Sequence, residues 1–299
     1  MDLMRKGPGI KDEYELLDSG DGKKYETFGK YRLIRPCAQA IWKPRLSPVE
    51  WNKADAIFDR NRGNRLNVRT RLPDEWVITV SGIRFRLSIT DFGHLGIFPE
   101  QAFLWEWITQ ILKQASNNTD RTLSVLNLFA YSGGATIAAA RAGAQVRHLD
   151  ASKGMVKWAR DNASLNRLDK APIHWIVDDV NRFLDREIRR KRRYDAIILD
   201  PPTYGHGKNK EVYKIEHELA STLDKCARLL SDEPVFILLS SHTPFCTPVA
   251  LSNFLRDISQ EGIKSNIECG EMLLEGSSSI YPVPNGTFAR WIAKTPKKR

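Results

Sequence analysis

The chain has 299 residues, of which 41% are hydrophobic and 27% charged. That size and balance suit a globular protein of about two domains and exclude a wholly disordered chain, a collagen-like repeat or a disulfide-stapled miniprotein. Lys and Arg outnumber Asp and Glu, 46 to 36, for a formal charge of +10, which favours a polyanionic partner without identifying one. No apolar run is long enough for a transmembrane helix, and the first residues lack the apolar core of a secretion signal, so a cytoplasmic location is expected. Cys37, Cys226, Cys246 and Cys269 form no close pair or C-x-x-C motif, so buried structural thiols are expected and no metal site.

In chain order, residues 1–24 are polar and read as a tail. Tyr25–Pro36 and Glu75–Thr90 read as strands. In the second, Trp76, Ile78 and Val80 alternate before Ser81-Gly82, and Ile83, Phe85, Leu87 and Ile89 alternate after it, which predicts a hairpin with one buried face. Between these strands, Asn61–Arg71 is basic and loop-like. A small β-rich domain is therefore expected over residues 25–95. Phe98–Gln114 carries helical spacing through Phe103, Trp107, Ile108 and Ile111.

From Leu123 onward, short apolar runs alternate with amphipathic stretches. The predicted strands are Leu123–Leu128, Val146–Leu149, His174–Val177, Ala196–Leu199 and Val235–Leu239. The predicted helices are Ala135–Ala142, Met155–Leu165, Val180–Arg192, Lys214–Leu230 and Leu251–Ile258. Such alternation predicts an α/β fold with a parallel sheet covered on both faces. Ile267–Leu274 and Phe288–Ala293 follow each other without a helix between them, which predicts an antiparallel pair at the far edge of the sheet.

The turn after the first of these strands, Phe129-Ala130-Tyr131-Ser132-Gly133-Gly134, has small residues that let backbone approach a ligand where a helix begins. It lacks G-x-G-x-x-G, which argues against a nicotinamide cofactor. The next strand ends at Asp150, followed by Ala151 and Ser152; an acid there can accept hydrogen bonds from both ribose hydroxyls. The third ends at Asp178-Asp179, suited to an adenine amino group, and the fourth at Asp200-Pro201-Pro202-Thr203-Tyr204. Each feature has a plainer explanation: tight packing for the glycines, helix N-caps for the aspartates, strand termination for the prolines. Their joint order at successive strand ends favours a nucleoside site.

These residues, through LNLFAYSGGAT, HLDASKGMVKWARDN, VDDVNRFL and ILDPPTYGHG, resemble class I S-adenosylmethionine-dependent methyltransferases over about residues 92–293. The subgroup they resemble most methylates cytosine C5 or guanine N7 in large-subunit (23S) ribosomal RNA. The resemblance implies a Rossmann-like methyltransferase domain at residues 96–299, with a mostly parallel seven-stranded sheet and an antiparallel C-terminal strand. It implies S-adenosylmethionine as cofactor, held by Phe129, Ala130, Tyr131, Gly133 and Gly134 at the methionine part. Asp150 with Ala151 and Ser152 would take the ribose, Asp179 or Asp178 with Val180 the adenine. Gln101 belongs to the segment that leads into the domain, where the family's Asp-Gln-Arg run reads Glu100-Gln101-Ala102 here.

Asp200, Pro201, Pro202 and Tyr204 are the candidate catalytic residues. The prolines would stiffen a turn presenting acceptors to base N–H groups, and Tyr204 would stack on the base. Thr203, Lys208 and Lys210 are candidate substrate contacts. C5 methylation in this family uses a cysteine after the fifth strand; the matching position here is Ser241, and Cys246 lies beyond Pro244. A base nitrogen is therefore the expected acceptor, and the Asp200-Pro201-Pro202-Thr203-Tyr204 wording leans towards guanine. His206 and His242 are the imidazoles nearest the presumed pocket. Arg182–Arg193, Asn61–Arg71, Arg84 and Arg86 are basic candidates for phosphate contact, with a salt-bridged helix end the competing explanation for the first. RNA is the expected partner, with no membrane and no metal. Two alternatives stay open: a methyltransferase for a small molecule or protein, and a non-enzymatic RNA-binding protein on the same scaffold.

Overall fold

The computed structural model describes residues 12–59, 65–90, 94–206, 212–258 and 264–294. The chain divides into two compact units, Met1–Phe103 with Leu273–Val283, and Leu104–Met272 with Pro284–Arg299.

In the first unit, β1 (Tyr14–Gly20), β2 (Lys23–Phe28), β3 (Tyr31–Pro36), a short helix α1 (Pro48–Trp51), β4 (Ala56–Asp59) and β5 (Arg65–Val68) build a five-stranded sheet in sequential order. β6 (Glu75–Val80) and β7 (Ile83–Ser88) form a separate hairpin in which Trp76, Ile78 and Val80 face Leu87, Phe85 and Ile83. Both Ser81 and Gly82 have positive φ (47° and 68°), as a two-residue turn matching strand twist requires. That hairpin falls where the alternation predicts it.

The stretch read as a tail is not one: β1 and the start of β2 lie inside residues 1–24. Two buried carboxylates explain this. Asp18 accepts hydrogen bonds from the backbone N–H of Leu46 at 2.7 Å and of Arg45 at 3.0 Å, and from the Trp51 indole at 2.8 Å. Glu26 accepts two from Arg35 and one from the Tyr14 hydroxyl. The charged letters that look solvated are instead satisfied by hydrogen-bond donors, the condition under which burial is tolerated. Leu16 packs with Cys37, Ala40, Leu274 and Val283, so the return segment 273–283 completes this small core. Likewise Tyr25–Pro36 is two strands, turning at Gly29, and Arg65–Val68 within the basic loop pairs with β4.

The second unit begins within α2 (Ala102–Ser116), which follows the 310 turn Pro99–Gln101. Strands and helices then alternate: β8 (Ser124–Leu128), α3 (Gly134–Arg141), β9 (Gln145–Asp150), α4 (Lys153–Leu165), β10 (Ile173–Val177), α5 (Val180–Arg189) and β11 (Ala196–Leu199). A small hairpin, β12 (Tyr204–His206) with β13 (Val212–Lys214), precedes α6 (Ile215–Arg228), β14 (Phe236–Ser241), α7 (Pro248–Asp257), β15 (Ser265–Leu274) and β16 (Val283–Ala293). The sheet order is β10-β9-β8-β11-β14-β16-β15. The first five are parallel and β16 runs antiparallel to β14, as the sequence predicts. Every residue of β11 and β14 is buried, which accounts for their continuous apolar runs. β8 has β9 on one side and β11 on the other, so the strand order reverses there, and in such sheets the ligand crevice lies beyond the carboxyl ends of these strands. Helix α5 stops at Arg189, short of the expected Arg192, and Lys191 takes a left-handed φ of 55°. Among the described residues no helix is long and apolar enough to cross a membrane.

Gly134 opens α3 against the face of an indole. A Cβ added there would lie 2.6 Å from the ring of Trp105, a residue only 3% exposed. Gly134→Ala is therefore expected to lower unfolding stability by about 1–3 kcal/mol, the range for overpacking. Gly154→Ala, whose Cβ would meet only Ser152 Oγ at 3.7 Å, should be neutral or stabilising in the same urea titration.

Candidate active site

The turn between β8 and α3 carries unusual backbone. Phe129, Tyr131 and Gly133 have φ of 54°, 48° and 93°, a conformation that L side chains rarely adopt. Three tethers hold it. Tyr131 N–H donates to Asp150 Oδ2 at 3.0 Å, Ala130 N–H donates to the Leu149 carbonyl at 3.0 Å, and Asn162 Nδ2 donates to the Ser132 carbonyl at 2.9 Å. Underneath, Asn127 Nδ2 bonds Thr136 Oγ1 at 2.9 Å and that hydroxyl meets His148 Nδ1 at 2.9 Å. Burial pushes the His148 imidazole down to about 3, so it stays neutral and serves as a brace.

Asp150 ends β9 with both oxygens engaged by backbone, the second by Ser152 N–H at 2.8 Å. Burial pushes its carboxyl up from the ordinary range, opposed by those two N–H donors. Ser152 is the N-cap of α4, its hydroxyl accepting from Met155 N–H. Asp179 likewise caps α5, accepting from Arg182 N–H at 2.9 Å. Asp178 forms an ion pair with Arg186 and accepts from Asp179 N–H. Val180 is 3% exposed and packs in the core with Leu126, Leu149 and Phe183, so little of its side chain faces any ligand. Ala130 is buried, and Gln101 lies on the 310 turn of the first unit.

Across the crevice, Asp200 follows β11. Ser240 Oγ donates to its Oδ1 at 2.8 Å, and His242 Nδ1 stands 3.7 Å from the same oxygen. Pro201 is buried and Pro202 exposed. Thr203 Oγ1 and Thr243 Oγ1 are 2.7 Å apart, joining the loops after β11 and β14. Tyr204 is 53% exposed. Ser241 is buried and accepts from Thr243 N–H, while burial pushes the Cys246 thiol up. Lys208 and Lys210 lie outside the described residues, as does most of the loop that holds them.

In the basic helix end, Arg186 pairs with Asp178 and Arg190 with Glu187 at 3.2 Å, while Asp185 pairs with Lys225 of α6 at 2.9 Å. Arg86 pairs with Glu75 at 3.4 Å. Sequence reading missed Asn162, Ser240 and Thr243. The first had a visible signal, since it is a polar residue on the buried stripe of α4 that includes Val156, Ala159 and Ala163.

The sequence pattern of the S-adenosylmethionine-dependent methyltransferases matches residues 66–234. The chain belongs to that family. A SAM-dependent methyltransferase from Agrobacterium tumefaciens of known structure is 36% identical, covering 95% of this chain and 91% of its own, with a TM-score of 0.88. A putative methyltransferase from Streptococcus mutans, 18% identical with a TM-score of 0.70 over 94% of this chain and 75% of its own, shares the fold. The ribosomal RNA large subunit methyltransferase K/L of Shewanella frigidimarina is 28% identical over 74% of this chain and 32% of its own length. The chain thus spans about a third of the length of these curated relatives.

Its cofactor is S-adenosylmethionine, and the crevice fits such a group. A positive-φ turn lies where the strand order reverses, and carboxylates stand at the end of β9 and just after β11, the strands on either side of β8. Among the described residues no His, Cys, Asp and Glu cluster is arranged to hold a metal ion.

If Asp150 takes the ribose hydroxyls, Asp150→Ala should raise the cofactor dissociation constant on the order of tenfold or more, the worth of hydrogen bonds to a charged group. The carboxylate form is the acceptor and its pKa is raised, so wild-type affinity should fall as pH falls, beginning above the ordinary aspartate range. Calorimetric titration across pH reads both effects; a flat profile in the wild type would contradict the role.

Proposed function

We propose that this methyltransferase modifies a ring or exocyclic nitrogen of a base in ribosomal RNA, with guanine the favoured base. The cofactor supplies an activated methyl on a sulfonium. The protein's task is then to hold the acceptor in line with it, where positioning contributes more than acid–base chemistry. Phe129–Gly134 and Asp150 would bind the cofactor, with Asp179 at the adenine end. Asp200, stiffened by Pro201 and Pro202 and oriented by Ser240, would accept hydrogen bonds from base N–H groups. Tyr204 would stack on the base once it is out of its helix.

The observation that carries the choice of nitrogen lies at the end of β14. Attack on cytosine C6 needs an accessible thiolate. The matching position is Ser241, buried and hydrogen-bonded to the backbone, and Cys246 is buried with its thiol pushed away from ionisation. The ribosomal RNA part of the proposal is supported by the named curated relatives and by the +10 charge. A cytoplasmic location and a small β-rich first domain that contacts RNA belong to the same proposal.

Unmodified large-subunit rRNA transcribed from the host's gene, incubated with protein and tritiated S-adenosylmethionine, should acquire label that digests to a methylated guanine nucleoside. Binding should weaken steeply with salt. Label on protein or small molecules alone would favour the alternative substrate classes. Cys246→Ser should retain at least half of wild-type activity, and 5-fluorocytosine RNA should give no denaturation-resistant adduct. Loss of activity together with an adduct would restore the cysteine mechanism.

A further inference from the structure

Phe245 is 58% exposed, on the loop that follows β14. A single exposed apolar side chain ordinarily needs no explanation. Three observations separate this one from that background. It follows the carboxyl end of β14, the strand beside β11, and β11 in turn is followed by Tyr204, itself 53% exposed. The two loops are joined by the Thr203–Thr243 hydroxyl contact at 2.7 Å, one residue from Tyr204 and two from Phe245. And the Phe245 loop is built to hold its shape: Cys246 N–H donates to the Thr243 carbonyl at 3.0 Å, and Thr287 Oγ1 donates to the Cys246 carbonyl at 2.6 Å. Pro244 and Pro248 flank it, removing backbone freedom on either side.

We propose that Phe245 is a second aromatic positioning residue for the acceptor, contributing with Tyr204 the surfaces against which an extruded nucleic-acid base stacks above Asp200. This rests on the ribosomal RNA base reading given above. A rigid loop that buries its cysteine and turns its phenylalanine outward keeps an apolar plane in water, and a planar purine or pyrimidine recovers that surface on binding. Stacking on an aromatic side chain tolerates any base, so Phe245 supplies hold and orientation, while Asp200 supplies the hydrogen bonds that discriminate.

The test compares Phe245→Ala, Phe245→Leu and Phe245→Tyr with wild type in rRNA methylation, with cofactor affinity measured on each. Stacking predicts that the alanine and leucine variants lose roughly 5- to 150-fold in kcat/KM for RNA, the worth of one base–aromatic contact. The tyrosine variant should return to within a few-fold of wild type, and all three should bind S-adenosylmethionine as wild type does. Alanine or leucine variants within twofold of wild type would overturn the proposal and leave the rRNA reading standing, as would a variant that loses cofactor affinity in parallel with activity. A wild-type protein that methylates no ribosomal RNA would overturn both.

Discussion

The carboxylate of Asp150 receives two backbone N–H groups from different segments, Tyr131 in the turn after β8 and Ser152 at the start of α4. That arrangement ties together the ends of two neighbouring parallel strands. The turn it holds has three residues at positive φ, two of them with side chains, a conformation that costs energy unless the surroundings fix it. Asn162 and the Asn127–Thr136–His148 chain supply the remaining fixation from beneath. A carboxylate serving as backbone anchor while its burial raises its pKa is poised to gain from further donors, and ribose hydroxyls are such donors.

The opposite wall of the crevice follows the same logic with side-chain tethers. Ser240 orients Asp200, and Thr243 joins Thr203, so the loops after β11 and β14 act as one piece. In methyl transfer the acceptor must meet the activated carbon along a line, and sub-ångström looseness is costly. Both walls are therefore anchored to adjacent parallel strands, and those of the second wall, β11 and β14, are buried throughout. Tyr204 and Phe245, both exposed, lie on the segments that follow β11 and β14.

The second unit was legible because its information is local. Unbroken apolar runs such as Ala196–Leu199 and helices with one apolar stripe need no distant partner to be recognised. The strand-end aspartates were also visible, and helix capping was the plainer reading of them, but which acid caps, which tethers and which pairs was not. Asp150, Asp179 and Ser152 cap or tether backbone, and Asp178 answers Arg186, eight positions on, so one letter at one kind of position serves three purposes. The first unit was harder. Tyr14–Gly20 reads as polar, and it becomes a strand because Asp18 organises residues 45–51 and because Leu16 meets Leu274 and Val283. Those contacts join residues more than 250 positions apart, which no local period encodes.

Crystallography of the protein with S-adenosylhomocysteine bound tests the central claim most directly. The nucleoside should lie at the carboxyl ends of β8 and β9, with both ribose hydroxyls within about 3.2 Å of Asp150 and the sulfur beside the Phe129–Gly134 turn, facing Asp200. A nucleoside seated elsewhere, or one that leaves Asp150 bonded to backbone alone, would contradict it.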